Sequence, residues 1–105
     1  MGGFAVLPTP YSLLLTSPDQ GSRYRLAPEI PRAMQQVVVA VRPGDGVTLR
    51  QVTLLVDGRP LATLTAPPYQ SLWPMAAGTH VITAVGVDGQ GNELRGNSVT
   101  IEVAE

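Results

Sequence analysis

Val52-Thr53-Leu54-Leu55-Val56-Asp57-Gly58-Arg59-Pro60-Leu61 is the stretch that decides the fold. Val52, Leu54 and Val56 alternate with Thr53 and Leu55, the period of two that an extended chain imposes on its side chains. Asp57-Gly58 is then a strong two-residue hairpin signal, because both central positions of a type I′ turn need positive φ. Val47 to Val56 is therefore one strand, and Arg59 to Thr65 returns beside it.

Downstream, Ala66-Pro67-Pro68 makes an irregular link to a short segment around Leu72 and Trp73. Gly78 opens a strand over Thr79 to Val87, in which Val81, Thr83, Val85 and Val87 face away from Ile82 and Ala84. Both faces are largely apolar, as in a central strand covered on one side and partly on the other. Asp88-Gly89-Gln90-Gly91-Asn92 turns the chain, and Ser98 to Val103 closes it with Val99, Ile101 and Val103 on one face. Upstream, Pro43-Gly44-Asp45-Gly46 leads in from a valine-rich strand, Gln36 to Arg42. Tyr11 to Thr16 and Ser22 to Leu26 flank the turn set Ser17 to Gly21.

Ten prolines and eleven glycines leave no uninterrupted amphipathic stretch for a helix of typical length. The exception is a single turn within Ala27 to Gln35, bounded by Pro28 and Pro31. Short strands with turn signals between them predict an all-β fold, an immunoglobulin-like antiparallel β-sandwich of about seven strands. Its expected core includes Val37, Val39, Leu54, Val56, Ile82, Ala84, Val99 and Ile101.

With 105 residues, 44% hydrophobic and 14% charged, the chain suffices for one core and is too apolar for a disordered segment. No repeat or low-complexity tract divides it, so residues 1–10 read as a loose lead or cloning remnant and residues 11–105 as the domain. The net charge of −1, from seven arginines, no lysine and eight acids, gives no broad attraction to nucleic acid or to an anionic membrane. No apolar run approaches a membrane span, so direct membrane insertion is not expected. Cysteine is absent, which excludes both disulfides and thiolate metal sites.

The candidate chemistry is thin. His80 is the single histidine, and at a strand start after Gly78-Thr79 it reads as a donor to nearby backbone rather than a metal ligand. Without lysine no serine has a Ser-x-x-Lys partner, and none sits in a Gly-x-Ser-x-Gly elbow. Asp45, Asp57 and Asp88 each precede a glycine, the composition of tight turns rather than of paired catalytic carboxylates. The Asp88 to Glu93 loop offers three side-chain oxygens, but its spacing is not that of a calcium-binding EF-hand. No catalytic residue, cofactor or metal site is expected. The candidate interaction surface is Tyr69 and Trp73, whose rings could stack on a sugar, with Arg23 and Arg25, which alternate onto one face; core packing and solvated surface charge are the plainer readings.

Leu15-Thr16-Ser17-Pro18-Asp19-Gln20-Gly21, Leu26-Ala27-Pro28 followed by Gln35-Gln36-Val37, Val56-Asp57-Gly58-Arg59-Pro60-Leu61, Trp73-Pro74 and Gly78-Thr79-His80 together resemble the C-terminal domain of the penicillin-binding protein 1C class. The Ala66-Pro67-Pro68-Tyr69 link and the Asp88 to Asn92 hairpin are also similar to bacterial immunoglobulin-like repeats of secreted and surface enzymes. The resemblance implies a non-catalytic accessory module of an exported or membrane-anchored cell-envelope protein. Its partners would be other domains of the parent chain or envelope proteins, with a cell-wall glycan as the alternative.

Overall fold

The computed structural model describes residues 12–105; the expected lead over residues 1–10, and Tyr11, lie outside the described residues. Nine strands follow in order: β1 (Leu13–Ser17), β2 (Arg23–Arg25), β3 (Gln36–Pro43), β4 (Leu49–Val56), β5 (Arg59–Leu64), β6 (Tyr69–Pro74), β7 (Gly78–Asp88), β8 (Glu93–Arg95) and β9 (Val99–Ala104). They form a three-stranded sheet, β1-β3-β6, and a larger sheet in the order β2-β9-β7-β4-β5, with β8 also paired to β7. The chain is thus the all-β sandwich its turn spacing predicts.

Alternation along β3, β4, β7 and β9 aims one apolar row from each strand into the space between the sheets. All eight expected core residues are buried, joined by Leu13, Leu26, Val41, Val52 and Val103. Asp57 and Gly58 have φ of 53° and 79°, the positive pair that the tight hairpin requires. The hairpin register runs from Val56↔Arg59 to Val52↔Leu64, with a bulge between Leu54 and Leu55. On the other side of β4, Val56 pairs with Ile82 of β7, which brings the hairpin tip beside the start of that strand.

Two features differ from the expected pattern. Pairing is antiparallel except between β2 and β9, which run parallel, since the chain crosses from one sheet to the other between β1 and β2. β8 adds a short strand against the second half of β7, opposite Val85 to Val87, while β9 takes the first half, Gly78 to Ile82. The single helical turn is a 3-10 turn at Arg32–Met34, opening directly after Pro31. Beside it Gln35 is buried, with its side-chain amide bonded to both the N–H and C=O of Ala27 and to the C=O of Ile30. That side chain satisfies backbone groups the turn leaves without a ladder partner.

Candidate functional site

The hairpin tip and the start of β7 build a polar corner. Asp57 holds a left-handed conformation that its short polar side chain tolerates. Its backbone N–H donates to the Val81 carbonyl at 2.8 Å, and Val81 N–H donates back to Asp57 Oδ1 at 2.9 Å. The other carboxylate oxygen, Oδ2, lies 2.7 Å from His80 Nδ1. His80 Nε2 in turn faces the Ala76 carbonyl at 2.8 Å, the backbone contact expected of it.

Both imidazole nitrogens therefore meet acceptors, an arrangement that only the doubly protonated ring satisfies in full. Burial by itself pulls the His80 pKa down, but the bonds to Asp57 and to the Ala76 carbonyl outweigh it and raise the pKa above 6.5. The same bond with His80, and the one from Val81, lower the Asp57 pKa from 3.8. Trp73 packs edge-on against His80 with ring centroids 4.7 Å apart and planes at 68°. Around them Val56, Arg59, Pro60, Leu61 and Ala76 complete the wall of an open groove of about 470 Å³.

Tyr69 and Trp73 are four residues apart on β6, so they share a side of the strand. They lie opposite Val41 and Val37 of β3, both buried. Each ring is consequently turned inward, partly buried against the core, and not set in an exposed row. Trp73 is half-buried at the sandwich edge, short of the complete plug that core packing would make. Arg23 and Arg25 sit apart from this corner on β2, both exposed, and Arg23 Nε lies 3.6 Å from Glu102 on β9. The structure does not bring the arginines and the aromatics together.

Asp88 is a turn residue in detail. Its Oδ1 accepts from the backbone N–H of Gln90 and Asn92, and its Oδ2 from the Asn92 side chain; these bonds, that from the Asn92 N–H foremost, lower its pKa from 3.8. Glu93 points instead toward Arg95, at 3.6 Å. Among the described residues no group of three or more His, Cys, Asp or Glu side chains converges. The Asp57–His80 pairing escaped sequence reading. The register Val56↔Ile82 would have revealed it, because it sets the Asp-Gly turn beside Gly78-Thr79-His80.

Fold and corner together define an immunoglobulin-like β-sandwich module. A family model described as the Penicillin-Binding Protein C-terminus Family matches residues 8–100, and the chain belongs to that family. Among solved structures it is similar to fibronectin(III)-like modules of Clostridium thermocellum CbhA, with TM-score 0.73, 16% identity and coverage of 88% of this chain and 94% of that one. It is also similar to an endo-β-1,4-mannanase double mutant of Cellulomonas fimi, with TM-score 0.53, 22% identity and coverage of 90% of this chain but 19% of the mannanase. A lytic polysaccharide monooxygenase of Jonesia denitrificans matches with TM-score 0.52 and 16% identity, over 80% of this chain and 58% of that one. No curated protein sequence matches significantly. These structural likenesses show the shared sandwich fold, and the family shows an accessory domain of penicillin-binding proteins, which implies a cell-envelope setting. Among the described residues no helix is long and apolar enough to cross a membrane.

Proposed function

We propose that residues 11–105 form a non-catalytic docking module of an exported penicillin-binding protein, working on the outer side of the membrane against other domains of its parent chain or other envelope proteins. The observation that carries this reading is the state of His80. It is the chain's single histidine, and both its nitrogens are engaged, by Asp57 and by the Ala76 carbonyl. A ring held this way has no free nitrogen to act as a general base, and the chain has neither a lysine nor a cysteine to serve as a nucleophile. What remains is surface, and surface supports binding.

The inward set of Tyr69 and Trp73 weighs against a stacking platform for glycans, which needs exposed ring faces. Arg23 and Arg25 remain available as a separate charged contact, the latter without an ion-pair partner among the described residues. The test compares binding of the pure domain to the remainder of its parent chain and to purified peptidoglycan, together with turnover of ester, glycoside and peptide substrates. Association with the parent chain, no retention on peptidoglycan and no turnover is the expected result. Retention on peptidoglycan lost in Trp73→Ala at unchanged stability would replace docking with glycan binding, and turnover lost in His80→Ala would overturn the non-catalytic reading.

A further inference from the structure

Five strands of the sandwich have an edge without a ladder partner among the described residues, and four of them are guarded. β1 is covered on that side by its bridge to Gly96 and by the Asn97 side chain, which accepts from Leu15 N–H at 2.9 Å. β2 and β8 are three residues long and carry exposed charges, Arg23 and Arg25 on one, Glu93 and Arg95 on the other. β5 opens with Arg59 and Pro60 and faces a bulge. Short length, charge, proline and bulges are the usual means of keeping an edge from pairing with another chain.

On β6 these guards are fewer, the Gln70 N–H being taken by the Pro68 carbonyl at 3.0 Å. Its six residues, Tyr69–Pro74, include no charged side chain, and the single proline comes last. Its register against β3 is unbroken from Val41↔Tyr69 to Gln36↔Pro74. On the outer face Leu72 is 50% exposed and its neighbour Val38 39% exposed. On the inner side lies the groove of Trp73, Leu61, Pro60 and Arg59. A strand laid along β6 would alternate its side chains between these two surfaces.

The charge in the groove selects the occupant. The two oxygens of Asp57 are engaged by His80 and Val81, and no carboxylate lies within 4.0 Å of Arg59 among the described residues. With His80 protonated, two cations face one carboxylate there. A second copy's β6 offers no acid to balance them, because that strand is uncharged. We propose, building on the docking reading above, that β6 accepts an extended acidic segment of another polypeptide as the fourth strand of the β1-β3-β6 sheet. The segment's carboxylate faces Arg59 and its apolar side chains cover Leu72 and Val38, the strand-addition mode of peptide recognition.

The probe is the end-capped peptide Val-Thr-Val-Glu-Val-Thr-Val, titrated into the 105-residue chain while amide chemical shifts and hydrogen exchange are followed. Slowed exchange and shifts concentrated on Tyr69–Pro74 are expected. Replacing the central Glu of the peptide by Gln weakens binding about three- to tenfold, Arg59→Ala does the same, and the two changes together add little beyond either. Leu72→Lys abolishes binding at unchanged melting temperature, since the side chain is half exposed; Arg59→Ala, at an exposed position, serves as the second variant. Shifts centred on another edge, affinity insensitive to Arg59→Ala, no shifts at millimolar peptide, or self-association through β6 without peptide would each overturn the proposal. A domain that still binds its parent chain after Leu72→Lys keeps the docking reading and overturns this site. A domain that never binds the parent chain fails the docking reading, and the peptide titration then decides the edge by itself.

Discussion

His80 Nδ1 stands 2.7 Å from Asp57 Oδ2, and this contact ties the tip of the β4–β5 hairpin to the start of β7. The imidazole is only 12% exposed and the carboxylate 45%, so the pair is shielded on one side and wet on the other. Its contribution is accordingly modest, on the order of 1 kcal/mol or less for the ionic part.

Stability should follow the titration of this pair. The His80 pKa is raised in the fold, so its contribution is complete below 6.5 and is lost as pH rises through the folded value. The Asp57 pKa is lowered, so its share is complete above 3.8 and is lost as pH falls through the folded value. The pair therefore stabilises most between those two ordinary values. The melting temperature of the wild type should decline from mildly acidic to mildly alkaline pH, and the Asp57→Asn variant should lose most of that decline. An unchanged slope in the variant would show that His80 does not titrate against Asp57.

Gly86 lies inward on β7 and is buried. A Cβ there would sit 3.0 Å from Leu13 Cδ1, 3.3 Å from the Gln51 carbonyl and 3.4 Å from Leu49 Cδ2. Leu13 is wholly buried and has little room to withdraw. Gly86→Ala should destabilise by about 1–3 kcal/mol through overpacking, read as a lower denaturant midpoint at constant slope. Adding Leu13→Val should recover part of the loss, because it removes the atom the new methyl meets.

Leu54 is fully buried at the centre of β4, between β5 and β7. Leu54→Ala should cost about 2–5 kcal/mol, the range for opening a cavity in a packed core. A loss below about half a kcal/mol in chemical denaturation would contradict the observed register.

The sandwich was legible because its main signals are local. Alternation in β4, β7 and β9 and the Asp57-Gly58 turn need no knowledge of distant residues, and they placed the core correctly. The rest depends on pairing across the chain. Glu93-Leu94-Arg95 is too short to show a period and hides between Gly91 and Gly96, so β8 left no trace. The parallel β2–β9 contact joins residues nearly eighty positions apart, as in Tyr24↔Val103. Nothing local to Gln35 says that its amide closes on Ala27 and Ile30. Core packing is the plainer sequence reading of Trp73, and the β3–β6 register turns Tyr69 and Trp73 inward; that register itself is obscured in the sequence by Pro67 and Pro68, which interrupt the approach to β6.

Trp73 separates stabilisation from glycan recognition. Its ring is partly buried, set edge-on to His80 and packed against the core from the edge strand β6. A fully buried tryptophan replaced by alanine costs about 3–5 kcal/mol; since this one keeps a face in the groove, half of that, roughly 1.5–2.5 kcal/mol, is expected for Trp73→Ala. The variant also removes the indole beside the His80 ring, so the pH dependence of stability should change along with its magnitude. Tyr69→Ala, on the same side of the strand, should likewise destabilise. Retention on insoluble polysaccharide should be absent in the wild type and in both variants. A melting temperature unmoved by Trp73→Ala, together with wild-type retention on peptidoglycan that the substitution abolishes, would mean that the indole turns outward in solution to serve a sugar.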